Sequence, residues 1–129
     1  MSASAHCGPV LIVDDDPDIR ETMAFLLESV GHRVVAAANG ADALQRLHEG
    51  LAPCLILLDL MMPVMNGWEF LNEQRRDATL STIPVVILTG AGQPAEQTAV
   101  LGVTGYLEKP VHLDTLFSTV GHYCRKAPI

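Results

Sequence analysis

Short apolar runs and helix-period stripes take turns along this chain. Residues 10–13, Val-Leu-Ile-Val, form a continuous apolar run between Gly8-Pro9 and the acidic stop Asp14-Asp15-Asp16, the pattern of a strand buried on both faces of a parallel sheet. Asp16 precedes Pro17 as an N-cap precedes a proline in the first helical turn, and Ile19, Met23, Leu26 and Val30 recur at helical spacing until Gly31. Residues 34–38 predict a second strand, and Asn39-Gly40 opens a second helix with Leu44 and Leu47 on one face, closed by Gly50. Residues 54–58 predict a third strand that runs into Asp59, and Pro63 forbids its continuation. Asn66 caps a third helix carrying Trp68 and Leu71. Gln74 falls where its stripe wants an apolar residue, so this helix is expected to be the least deeply seated of the long ones. Residues 84–88 are a fourth buried run ending in Thr89-Gly90, residues 94–101 a weak fourth helix, and residues 105–107 a fifth strand followed by Glu108-Lys109-Pro110. Leu113, Leu116, Phe117 and Val120 stripe a last helix. Five alternations of strand and helix call for an α/β fold, a doubly wound, five-stranded parallel sheet with five helices on its two faces.

Length and composition narrow the class. A chain of 129 residues makes one domain, here expected to span residues 9–125 between a flexible tail at 1–8 and a short one at 126–129. Hydrophobic residues are 49 % and mean hydropathy is +0.27, yet no run approaches the roughly 18 apolar residues that membrane insertion requires. Residues 1–8 lack the basic start and apolar stretch of a signal or transit peptide. Cys7, Cys54 and Cys124 are odd in number without a Cys-x-x-Cys pair. That argues against a disulfide framework or a zinc site and suits a reducing cytoplasm, with Cys54 read as apolar packing. A net charge of −7 disfavours direct nucleic-acid binding, and Arg75-Arg76 is assigned to a solvated helix end. His6, His32, His48, His112 and His122 have no partner at metal-ligand spacing and are read as surface or boundary residues.

The candidate chemistry lies just past the strands: Asp14, Asp15 and Asp16 after the first, Asp59 after the third, Thr89 after the fourth, Lys109 after the fifth. In an open parallel sheet these positions share one edge, where ligands bind. Converging carboxylates repel one another and raise each other's pKa, so the group makes sense around a cation, and hard oxygen donors with room for water favour Mg2+. A lysine and a hydroxyl beside them suit a transferred phosphoryl group, with Asp59 as the oxygen nucleophile. Asp16, standing before Pro17, is read as the helix cap rather than a ligand. Trp68, Phe70 and the group Met61, Met62 and Met65 are read as core or loop packing rather than a cofactor box.

Residues 12–17 (Ile-Val-Asp-Asp-Asp-Pro), 57–67 (Leu-Leu-Asp-Leu-Met-Met-Pro-Val-Met-Asn-Gly), Leu88-Thr89 and 105–110 (Gly-Tyr-Leu-Glu-Lys-Pro) resemble, in order, the four signatures of the bacterial two-component response-regulator receiver domain. The resemblance implies the CheY-like, flavodoxin-like strand order 2-1-3-4-5, which is taken from the family and not from these residues. It implies Asp59 as phosphoacceptor and Asp14, Asp15, Asp59 and the Met61 carbonyl around Mg2+, with Asp14 acting largely through water. Thr89 and Tyr106 match the family's switch pair, Tyr106 reading equally as a ring packed on the last helix. Lys109 matches its salt-bridging lysine, before a cis Lys109–Pro110 bond. A histidine kinase or histidine phosphotransfer protein would donate, and a downstream effector would read the result.

Some positions depart from the family. Thr89 to Lys109 is about two residues short by comparison with the usual receiver, so the fourth helix is expected to be shortened or displaced, and the usual output face with it. Val111 replaces an aromatic residue, while His112 and Asn66 stand where Asp is common at a helix cap. Gly90 leaves the phosphoryl site open, and apolar Met61 and Ala91 cannot orient an attacking water, so slow hydrolysis of the phosphoryl group is expected.

With no room for an output domain after Tyr123, a stand-alone module is expected that assists its own phosphorylation and dephosphorylation without being an enzyme. The alternatives are a phosphorylation-independent binding scaffold and a receiver fragment of a larger regulator or hybrid kinase. A small-molecule phosphatase would want a second aspartate where Met61 stands, and a flavodoxin-like FMN carrier a Ser/Thr-rich loop where Asp14-Asp15-Asp16 stand.

Overall fold

The computed structural model describes residues 8–90 and 103–124. In chain order its elements are β1 (Val10–Val13), α1 (Pro17–Ser29), β2 (Val34–Ala37), α2 (Gly40–His48), β3 (Leu55–Asp59), α3 (Gly67–Arg76), a 3-10 turn (Leu80–Thr82), β4 (Val85–Thr89), β5 (Gly105–Glu108) and α4 (Leu113–Tyr123). The strands form one parallel sheet in the order β2-β1-β3-β4-β5. Four α-helices are present among the described residues, and the expected helix at 94–101 lies outside them.

The helix starts follow the polar residues that flank them. Asp16 accepts from the Asp18 N–H at 2.9 Å, Asn39 from the Asp42 N–H at 2.9 Å, and Asn66 exchanges bonds with Glu69 in a capping box. His112 begins α4 with no side-chain cap. α1 ends in a Schellman turn: Gly31 takes φ +96°, its N–H bonds the Glu28 carbonyl, and the His32 N–H bonds that of Leu27.

Alternation along the strands divides the core in two. Leu11, Val13, Ile56, Leu58, Val85 and Ile87 pack against α2 and α3 through Ala43, Leu44, Leu47, Phe70 and Leu71. Val10, Ile12, Leu55, Leu57, Val86, Leu88 and Leu107 face α1 and α4 through Met23, Leu27, Leu116 and Val120. β1 and β3 are buried on both faces, as central strands of such a sheet must be.

Three expectations are corrected. α3 is not the shallowest helix: it buries Gly67, Phe70, Leu71 and Gln74, where α1 buries Met23 and Leu27. Gln74 is tolerated inside because its Nε2 donates to the Leu80 and Ile83 carbonyls at 2.9 and 3.2 Å, tying α3 to the turn before β4. His32 is buried rather than at the boundary, because the Schellman turn drives the chain inward before β2. Cys54 does more than pack, since it is joined to Cys124 in a disulfide that ties the root of β3 to the end of α4. Sequence spacing could not show that a 70-residue separation closes in space.

Candidate functional site

Strand register assembles the site. Val13 pairs with Leu58, so Asp14 and Asp59, the next residues, stand side by side at the carboxyl-terminal edge of the sheet. By alternation both belong to the face of Ile12 and Leu57. Asp59 pairs with Leu88 and Leu88 with Leu107. Lys109, two residues beyond Leu107, keeps that facing, and its stem reaches back across the edge.

Lys109 Nζ donates to Asp14 Oδ2 at 2.9 Å and lies 3.6 Å from Asp59 Oδ2, and the Lys109–Pro110 bond is cis. Asp14 is fully buried: its other oxygen accepts from the Asp16 N–H at 2.9 Å, while its backbone carbonyl accepts from the Arg20 guanidinium at 2.7 Å. Asp59 is 6 % exposed, and its Oδ1 accepts a long bond, 3.3 Å, from the Met61 N–H. Asp15 is exposed. One carboxylate oxygen from each of Asp14, Asp15 and Asp59 lies within 4.8 Å of the others, a hard, all-oxygen donor set of the kind a small divalent cation takes.

The charges are unevenly compensated. Burial is the main cause that lifts the Asp59 carboxyl above its ordinary value; Lys109 and the Met61 N–H oppose the rise, while Asp14 and Asp15 add to it. Burial also disfavours the Lys109 ammonium, yet the hydrogen bond to Asp14 and the pull of Asp59 outweigh it and push its pKa up. Distance reconciles the two shifts: the ammonium sits on Asp14 and reaches Asp59 only at 3.6 Å.

Close packing holds the loop after Asp59. A Cβ on Gly67 would lie 2.8 Å from the Asp59 carbonyl and the Leu60 backbone, so only glycine lets α3 start this close to β3. The Gly67 N–H bonds the Leu60 carbonyl, and the Gly40 N–H bonds that of Met65. Between these anchors Val64 takes φ +67°, with the Met65 N–H on the Pro63 carbonyl at 2.7 Å, a strained γ-turn.

Asp14, Asp15, Asp59 and Lys109 are therefore brought together, and Asp16 caps α1 as expected. The Met61 side chain is 63 % exposed and points away from packing, whereas Met62, Met65 and Trp68 pack on the core. Thr89 ends β4 one residue past the partner of Asp59; its side chain lies outside what is described, as does Ala91. Tyr106 stands on the edge strand β5, 45 % exposed. Arg20 was not foreseen. The only sequence signal for it is a cation one turn into a helix that an acidic run begins.

A sequence profile of the response regulator receiver domain matches residues 10–121. This chain belongs to that family. Such receivers are modules of two-component signalling rather than enzymes in their own right. This one is 37 % identical over 115 residues to Protein PilH of Pseudomonas aeruginosa, covering 86 % of this chain and 93 % of that protein. It is 39 % identical over 114 residues to the response regulator Rre1 of Synechocystis, covering 86 % of this chain and 49 % of that one. The receiver thus spans nearly all of one relative and about half of the other. The structure of the chemotaxis protein CheY4 of Vibrio cholerae is similar at a TM-score of 0.81 and 30 % identity, over 92 % of this chain and 99 % of that one. No described helix is long and apolar enough to cross a membrane.

Proposed function

We propose that this receiver takes a phosphoryl group on Asp59 and thereby changes which surface it offers to a partner. The observation that carries the reading is a buried, incompletely compensated carboxylate, Asp59, meeting Asp14 and Asp15 within 4.8 Å with the Lys109 ammonium 3.6 Å away. A histidine kinase or histidine phosphotransfer protein is the donor, a downstream effector the reader, and the cytoplasm the place. The domain is read as residues 9–125; the expected tails at 1–8 and 126–129 lie, apart from Gly8, outside the described residues.

Asp14, Asp15, Asp59 and the Met61 carbonyl would hold Mg2+, which would supply positive charge to the phosphoryl oxygens. Asp59 attacks phosphorus in its ionised form, the P–N bond to the donor imidazole breaks, and that nitrogen takes a proton from water. The gap between Lys109 and Asp59 is where a new anion gains most, because the ammonium can turn toward it without leaving the cluster. Thr89 would donate its hydroxyl to the phosphoryl group, and Tyr106 would turn inward behind it. Met61, apolar and exposed, cannot orient a water for attack, which supports a long-lived phosphoryl group.

The test is incubation with Mg2+ and acetyl phosphate. A mass gain of one phosphoryl, acid-stable and base-labile, is expected in the native chain and absent from Asp59→Asn. No gain, or one that survives the substitution, overturns the reading.

A further inference from the structure

The amino-terminal edge of the sheet, opposite the acidic cluster, carries chemistry that phosphoryl transfer does not use. Cys54, at the root of β3, and Cys124, at the end of α4, are 3 % and 6 % exposed and joined by a disulfide. Both belong to the core layer of Val10, Leu55, Leu116 and Val120, which packs through ordinary apolar contacts as well. The thiol form fits the same place: the Cys54 sulfur lies 3.6 Å from the Pro9 carbonyl oxygen, an acceptor ready for a thiol proton. Beside Cys54 opens a cleft of about 560 Å³ lined by Leu47, Gly50, Pro84, His122 and Tyr123, large enough for a tripeptide-sized ligand. Of the two cysteines, Cys54 is the one that lines it.

We propose that Cys54 and Cys124 are a reversible modification site for low-molecular-weight disulfides of the glutathione type, entered at Cys54. The Cys54 thiolate attacks one sulfur of the glutathione disulfide, the S–S bond of that molecule breaks, and the departing glutathione thiolate takes up a proton. The Cys124 thiolate then attacks the Cys54 sulfur, expelling the second glutathione thiolate, which is protonated in turn. The protein loses two electrons and two protons, and one glutathione disulfide becomes two glutathiones. Excess glutathione runs the steps backward. The closed form ties the end of α4 to the strand that carries Asp59 across a 70-residue loop, so the two redox forms differ in stability.

The experiment uses the full chain with Cys7→Ser, so that two thiols remain. After equilibration with excess glutathione disulfide, non-reducing peptide mapping is expected to find Cys54 bonded to Cys124, and excess glutathione to return two alkylatable thiols. Adding Cys124→Ser should trap one glutathionyl group on Cys54, while Cys54→Ser should leave Cys124 modified far more slowly. The closed form should melt about 10 °C above the open one, and the difference should vanish in Cys54→Ala/Cys124→Ala. Thiols that stay free in glutathione disulfide, a bond that excess glutathione cannot open, equal modification of the two single-thiol variants, or equal melting of the two forms would each overturn the proposal.

Discussion

At the carboxyl-terminal edge of the sheet three carboxylates converge and two of them share Lys109, which sits 2.9 Å from Asp14 and 3.6 Å from Asp59; at the opposite edge Gln74 satisfies two carbonyls and Cys54 is closed onto Cys124. Among the described residues no buried side-chain polar atom lacks a partner, so the difference is one of charge balance and strain rather than of missing hydrogen bonds. The first edge keeps an incompletely compensated anion and a left-handed Val64 that folding alone gives no reason to keep. The second edge holds the fold. Substitutions at the amino-terminal edge should therefore only lose stability, whereas at the carboxyl-terminal edge some should gain it.

The largest loss nonetheless belongs to the carboxyl-terminal edge, because one residue there balances the rest. Lys109→Met leaves Asp14 buried and charged beside two further carboxylates, and should cost about 2–3 kcal/mol, less than a fully buried pair because Lys109 is a quarter exposed. Urea unfolding at neutral pH measures it, and millimolar Mg2+ should restore part of the loss by taking over the ammonium's electrostatic role. A cost below about 0.5 kcal/mol, the usual effect of an unremarkable surface substitution, would mean that the cluster is not charge-limited. In the native chain this contribution should persist through neutral pH. The Lys109 pKa is raised, so what it adds is complete below the ordinary 10.5 and fades only as pH climbs through the higher folded value. Gln74→Leu comes next, removing both Nε2 bonds at the other edge and leaving the Leu80 carbonyl only its bond from the Ile83 N–H, for about 1–2 kcal/mol. No loss there would show that water reaches those carbonyls and that the amino-terminal edge is looser than drawn.

What could be read from the sequence divides along the same line. Strands, caps and the residues past each strand follow from local pattern: Asp16, Asn39 and Asn66 cap where a polar residue meets the start of a stripe, and Asp14, Asp59 and Lys109 converge because parallel strands end on one edge. Gln74, His32 and Cys54 escape a local reading because their roles rest on partners far along the chain or on a backbone turn. Gln74 looked like a break in an apolar stripe, and only the turn at Leu80–Thr82 explains it. Arg20 was missed for a similar reason, since its guanidinium seeks a backbone carbonyl, and no residue type advertises that.

Asp59→Asn separates charge from packing at the acidic edge. The folded pKa of Asp59 is raised, so its contribution to stability is fully present below the unfolded value near 3.8 and is lost as pH rises through the folded one. At neutral pH without Mg2+ the ionised side chain is therefore a net burden, and the amide should be more stable than the native chain, by less than Lys109→Met loses. Below pH 3.8 the two should converge. Melting curves across pH test this, and an Asn variant that is less stable at pH 7 would show that Lys109 compensates Asp59 fully after all.

Val64→Gly probes the remaining asymmetry, backbone strain, and carries the smallest expected effect. A β-branched residue at φ +67° is held there by the 2.7 Å bond from the Met65 N–H to the Pro63 carbonyl and by the anchors at Gly40 and Gly67, not by burial, since Val64 is 81 % exposed. Relief of about 1–3 kcal/mol of strain is set against about 0.5–1 kcal/mol of extra chain entropy lost by glycine on folding, leaving a gain between about 0 and 2.5 kcal/mol and centred on about 1 kcal/mol. The same change loosens the loop that carries Met61 past Asp59, so the Met61 N–H holds Asp59 less firmly and phosphoryl uptake from acetyl phosphate should slow a few-fold. A variant that gains stability with unchanged uptake would show that the strained turn is incidental to the acidic site. One that loses stability would show that the left-handed valine is not strained at all.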